Sequence, residues 1–116
     1  MHSMDSKEHQ VVTKQSIIDL LRVNDRAVAR ALVVLNNRQT ADERVSQSTR
    51  YTNGRGFSAA HAKRGTSMAL FYQRTGFLTP RQLAWWRAPE AKGGAMRIAI
   101  YAGQLLEEAM LKGAAK

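Results

Sequence analysis

Leu78-Thr79-Pro80-Arg81-Gln82-Leu83 spells a complete helix start. Thr79 is the N-cap, with a hydroxyl that can accept from the N3 amide, and Gln82 at N3 can reach back to the cap's own N–H. Pro80 takes the first helical position, where a missing N–H is harmless. Leu78 and Leu83 sit at the two ends of a hydrophobic staple across that turn. Pro89 ends the helix near Arg87. No strand-like alternation longer than a few residues occurs elsewhere in the chain. The expected fold is therefore all-α, a compact bundle of about five helices.

Working outward, Gly76 takes the position just past a helix end. That helix starts with Ser58 as cap and runs towards Thr75. Its inward stripe is Ala62, Gly65, Ala69 and Tyr72, and the small residues at 62, 65 and 69 would let another helix come close. His61, without a second metal ligand at helical spacing, is expected at the surface or in a capping role. Before this helix lies Thr52-Asn53-Gly54-Arg55-Gly56-Phe57, a Gly-rich loop at 52–57 that permits positive φ and a close backbone approach.

Further upstream, Thr13 caps a short helix that buries Ile17, Ile18, Leu20 and Leu21. Asn24 and Asp25 interrupt it and cap a second helix, whose Val28, Ala31, Leu32 and Leu35 recur at helical spacing. Arg26 and Arg30 lie one turn apart on another face. Thr40 and Glu43 suggest a capping box for a separate short turn. Downstream, Gly93-Gly94 forms a hinge into a last helix built on Ile98, Tyr101, Ala102, Leu105 and Ala109, closed by Gly113. Residues 1–12 read as a flexible N-terminal tail and 13–116 as a single helical domain. Met4 is a candidate natural start within that tail.

The chain has 116 residues, enough for one small domain. It has no cysteine, so disulfides and thiolate metal sites are excluded. Its longest apolar runs, such as Ala31 to Leu35, fall far short of the roughly 20 residues of a membrane span. The first ten residues are polar, unlike a signal peptide. A soluble, cytoplasmic protein without membrane contact is expected.

Charge is the strongest signal. Eighteen Lys and Arg face nine Asp and Glu, for a net charge of +9. Between Arg44 and Arg97 stand ten basic residues and one acid, Glu90, so the surplus belongs to the middle of the chain. Twelve of the eighteen cations are Arg, which favours phosphate or base-edge contacts over simple solubility. If six cations touched phosphates, affinity would fall roughly 10³-fold between 50 and 200 mM salt. An acidic protein surface is the other partner such charge would suit.

Catalytic chemistry has little support. Two of the three histidines lie in the N-terminal tail, and the acids Asp42/Glu43 and Glu107/Glu108 fit helix ends or solvent-facing positions. Ser58, Thr66 and Ser67 have no His–carboxylate set that sequence can point to. The glycine loop lacks the Gly-Lys-Ser/Thr ending of a phosphate-binding P-loop. No enzyme, metal or cofactor is expected.

The candidate binding residues are Arg50, Asn53, Arg55, Lys63, Arg64, Arg74, Arg81, Trp85, Arg87 and Arg97. Trp86, three residues from Leu83, is the core tryptophan of the Trp85-Trp86 pair. Trp85 then either stacks on a base or fills a partner's pocket, or packs against the last helix.

Four segments together resemble small all-helical proteins of phages and other mobile elements. They are Arg38-Gln39-Thr40-Ala41-Asp42-Glu43, Asn53-Gly54-Arg55-Gly56-Phe57, Leu78-Thr79-Pro80-Arg81-Gln82 and Tyr101-Ala102-Gly103-Gln104-Leu105. The shared pattern is Gln-Thr-x-x-Glu, Asn-Gly-x-Gly-Phe, Leu-Thr-x-Lys/Arg-Gln and Tyr-x-x-Gln-Leu, across residues 30 to 106. The resemblance implies a helical module in a phage or plasmid setting, with Asn53, Gly54, Phe57, Gln82 and Gln104 as its shared scaffold. It names no reaction.

Two functions follow as expectations. One is a nucleic-acid-binding accessory protein, for DNA rather than RNA or for a nucleoprotein complex, held mainly through phosphates. The other is a protein-directed modulator or inhibitor that docks on an acidic host protein. A helix-turn-helix over Ser16 to Leu35 fits less well, because the positive charge lies downstream of its recognition helix.

Overall fold

Thr13 before Lys14 and Asn24 after Val23 set the first helix boundaries. The computed structural model describes residues 12–46 and 56–115; of 41–46 and 113–115 it describes the helical backbone alone. Helix α1 spans Lys14–Val23. Thr13 Oγ1 accepts from the Ser16 amide at 3.0 Å, and Ser16 Oγ accepts from the Thr13 amide at 2.9 Å, a capping box with serine in the N3 place. Asn24 alone links α1 to α2, which spans Asp25–Ser46, and its Oδ1 caps the Ala27 amide at 2.9 Å. α3 spans Ala59–Thr75 and α4 spans Pro80–Arg87. A 3-10 turn over Arg97–Tyr101 leads into α5, Ala102–Ala115. Five α-helices and no strand are present among the described residues, so the fold is an all-α bundle.

The capping rules hold where they were most fully specified. Thr79 Oγ1 accepts from the Gln82 amide at 3.1 Å while Gln82 Oε1 accepts from the Thr79 amide at 2.8 Å, with Pro80 in the first turn. Leu78 and Leu83 both enter the core. Gly76 ends α3 at φ 89°, a left-handed backbone that glycine adopts without strain.

Four expectations fail locally. Thr40 starts no new turn, for α2 runs through it and its hydroxyl donates back to Asn36 O at 3.0 Å. The helix is held in register there by Arg38, which donates to Gln104 O at 2.8 Å and to Glu107 at 2.7 Å. Gln39 is tied in as well, through Thr66 Oγ1 at 3.3 Å. Leu20 is not buried with Leu21 but stands half out in solvent. The last helix starts as a 3-10 turn and continues past Gly113 to Ala115.

The fourth correction is His61. It is buried, 4% exposed, on the face of α3 that carries Gly65 and Ala69. Its ring stands edge-on to Trp86, Trp85 and Tyr101, with centroids 5.4 to 5.8 Å away.

The core is a single cluster: Val28, Leu32 and Leu35 of α2, Trp86 of α4 and Ile98 are fully buried. Gly65 makes room in it for a side chain rather than for a helix, since a Cβ there would lie 2.5 Å from the Phe57 ring. Phe57 in turn packs on Trp86 and edge-on to Tyr101, both at 5.9 Å.

The end of the glycine loop behaves as its composition suggests. Gly56 has φ 87°, and a Cβ there would meet the Gln39 backbone at 2.7 Å. Gln104 brackets this glycine, accepting from its N–H at 2.7 Å and donating to its carbonyl at 2.9 Å. Phe57, Gln82 and Gln104 make contacts within the fold, while Asn53 and Gly54 lie outside the described residues. No described helix is long and apolar enough to cross a membrane.

Candidate functional site

Helices α3 and α4 border an open groove of about 710 Å³, lined on one side by Lys63, Arg64 and Ser67 and on the other by Gln82 and Trp85. Met68 lies at its floor side, where its sulfur accepts from the Trp86 indole N–H at 3.0 Å. Lys63, Ser67 and Arg74 are exposed and recur along one stripe of α3, at i, i+4 and i+11. Arg81 and Trp85 are one turn apart on α4, and Arg81 is exposed.

Trp85 is the centre of the arrangement. It is half-buried, edge-on to Trp86 at 4.8 Å, and two guanidinium groups lie against it. Arg64 is 4.4 Å and Arg97 4.2 Å from the ring centroid. The two arginines differ in how they are held. Arg97 donates to Trp85 O at 2.8 Å and to Glu90 at 3.2 Å, so it is fixed by bonds from two directions. Arg64 is exposed, and among the described residues no carboxylate pairs with it.

Behind the tryptophan a polar chain runs from exposed Glu90 to buried His61 and Tyr101. Glu90 Oε1 lies 2.8 Å from His61 Nε2, and His61 Nδ1 lies 2.6 Å from the Tyr101 hydroxyl. An ionised carboxylate only accepts, so Nε2 carries the hydrogen of its bond to Glu90, and the Tyr101 hydroxyl that meets Nδ1 also lies 3.2 Å from Ser58 Oγ. The Ser58 amide donates to the same phenol oxygen at 3.0 Å, which fastens the first turn of α3. Removing that oxygen with Tyr101→Phe leaves the Ser58 N–H and His61 Nδ1 without partners. A loss of about 2 kcal/mol in urea unfolding is the expected outcome.

Glu90 couples this chain to the groove, because it accepts from both His61 and Arg97. The His61 hydrogen bond lowers its pKa from the ordinary 4.5, desolvation opposes this, and the Arg97 charge lowers it further. A depressed carboxyl pKa contributes stability that is present above 4.5 and lost as pH falls through the native value. Wild type and Glu90→Gln should therefore differ in melting temperature at neutral pH and converge in acid, below the lowered pKa of Glu90. Curves that stay parallel into acid would remove Glu90 from this role.

The ten residues singled out from sequence fall into three groups. Lys63, Arg64 and Trp85 line the groove, with Arg81 on its α4 border and Arg74 further along the α3 stripe. Arg87 and Arg97 serve the fold instead. Arg87 donates to Leu21 O at 2.9 Å and pairs with Asp25 at 2.9 Å, tying α4 to the α1–α2 junction. Arg50, Asn53 and Arg55 lie outside the described residues.

Sequence reasoning missed Ser67 and passed over Gln82 as a groove residue. Helical spacing could have found both, since Ser67 is one turn from Lys63 and Gln82 is three residues from Trp85. Comparison with known protein families, with curated proteins and with solved structures returns no match for this chain.

Proposed function

We propose that the α3–α4 groove binds single-stranded nucleic acid, DNA rather than RNA, through phosphate contacts and one stacked base. The observation that carries this is Trp85 in an open groove, with the loosely held Arg64 against its ring and Lys63 and Gln82 on the walls. A base entering the groove displaces Arg64 from the indole. The exchange favours the base: an exposed cation–π contact contributes roughly 0.5–1 kcal/mol, and base stacking on an aromatic roughly 1–3 kcal/mol. The freed guanidinium moves to an adjacent phosphate, beside Lys63. Arg97 stays under the ring and keeps it in place. Gln82 and Ser67 can donate to and accept from base edges or sugar oxygens.

Phosphate contacts dominate this mode, so it is largely blind to sequence. The segment pattern, which resembles that of small phage and mobile-element proteins, supports a setting beside phage or plasmid DNA, in an accessory rather than a catalytic role.

Fluorescence anisotropy with a labelled oligothymidylate, at two salt concentrations, tests the proposal. Four phosphate contacts, from Lys63, Arg64, Arg74 and Arg81, give an affinity loss of about 50-fold between 50 and 200 mM salt for a single strand. No binding at 50 mM, or binding indifferent to salt, would overturn it and shift weight to an acidic protein as the partner of the same face.

A further inference from the structure

Helices α1, α2 and α5 leave a second groove open to solvent, of about 340 Å³, that shares no lining residue with the first. Its walls are apolar. Leu20 and Leu21 come from α1, Val34 from α2 and Leu105 from α5, and Leu20 keeps 49% of its surface exposed. Two cations, Arg26 and Arg30, also line it, and no carboxylate does. Both are exposed, and among the described residues neither enters an ion pair.

We infer that this groove docks an acidic amphipathic helix of a partner protein. The apolar wall takes anchors at i, i+3/i+4 and i+7, the usual reading of a helix laid in a groove. Arg26 and Arg30 are four residues apart on α2, about 6 Å along its axis. That spacing matches two carboxylates one turn apart on a helix lying alongside. A single fatty-acid carboxylate would leave one arginine without a partner, and a groove open along one side would leave much of an alkyl chain in water. A second copy of this chain is disfavoured by charge, since each copy carries +9.

The inference is independent of the nucleic-acid reading, and its test keeps the two apart. The probes are two fluorescent 14-residue peptides with leucines at one helical face. One carries glutamates beside the leucine stripe and the other carries lysines. The glutamate peptide should bind at least about tenfold tighter than the lysine peptide. The double variant R26E/R30E should reverse that preference, and Leu20→Asp should abolish binding of both peptides. Oligothymidylate affinity should stay within about twofold of wild type in R26E/R30E.

Three outcomes would overturn the inference: no binding of either peptide, equal binding of both, or a preference unchanged in R26E/R30E. Sedimentation that finds a dimer dissociated by Leu20→Asp would overturn it too, and assign the groove to a second copy. Circular dichroism of each variant should remain that of the wild-type helical protein.

Discussion

Replacing Lys63, Arg64 and Arg81 together by glutamate is expected to weaken oligothymidylate binding by at least about a hundredfold at 50 mM salt. The three side chains are exposed at the groove between α3 and α4, and none is used to hold the fold. Each lost phosphate contact also removes about 0.7 from the logarithmic salt slope for a single strand. Three losses leave about a quarter of the original slope. Stability should change by no more than about 0.5 kcal/mol, as for surface positions away from caps and core. The control is the double change Arg22→Glu and Lys112→Glu. It changes net charge by about four units against about six for the triple variant, lies outside the groove, and should cost much less affinity. A loss equal to that of the triple variant would mean that overall charge, rather than this groove, attracts the polyanion.

Gly65→Ala is expected to destabilise the protein against its own helix propensity. Alanine in place of a mid-helix glycine ordinarily stabilises by about 1 kcal/mol. Here the added methyl would sit 2.5 Å from Phe57 Cε1 and Cζ. The ring has no free direction in which to move, because it is 8% exposed and wedged between Trp86 and Tyr101. Overpacking of this kind costs roughly 1–3 kcal/mol, so the collision outweighs the propensity gain. A net loss of up to about 2 kcal/mol in urea or thermal unfolding is expected. Phe57→Leu in the same chain should recover part of it, making the two changes strongly non-additive. A stabilised Gly65→Ala protein would contradict this account of the core.

The comparison of sequence with structure divides along sequence distance. Caps and turns depend on neighbours three or four residues away, so Thr13, Asn24, Gly76 and the Thr79–Gln82 box were legible. So was the stripe Val28, Ala31, Leu32 and Leu35, every member of which is buried. The arginines were not legible, because their partners lie far off in the chain. Arg38 is 6% exposed and pairs with Glu107 and Glu108, and Arg87 reaches back to Leu21 and Asp25. A cation that staples helices looks the same in sequence as one that meets solvent.

His61 is a different kind of miss. It lies four residues before Gly65 on the inward stripe, and that position was visible. What sequence could not supply were the distant Glu90 and Tyr101 that satisfy both ring nitrogens and make burial affordable.

These internal pairings also narrow the basic surface. Of the cations between Arg44 and Arg97, Arg87 and Arg97 are matched by carboxylates. Lys63, Arg64, Arg74 and Arg81 remain exposed on α3 and α4. This is why the expected salt dependence is about 50-fold, smaller than the roughly 300-fold that six contacts would give on a single strand.

The two indole N–H signals in a ¹H–¹⁵N correlation spectrum test the groove most directly. Trp86 is fully buried and Trp85 lines the open groove, so each reports on a different environment. On titration with oligothymidylate at 50 mM salt, the Trp85 signal should shift progressively to saturation while the Trp86 signal moves far less. Saturable oligonucleotide binding that leaves the Trp85 indole unmoved would contradict the account.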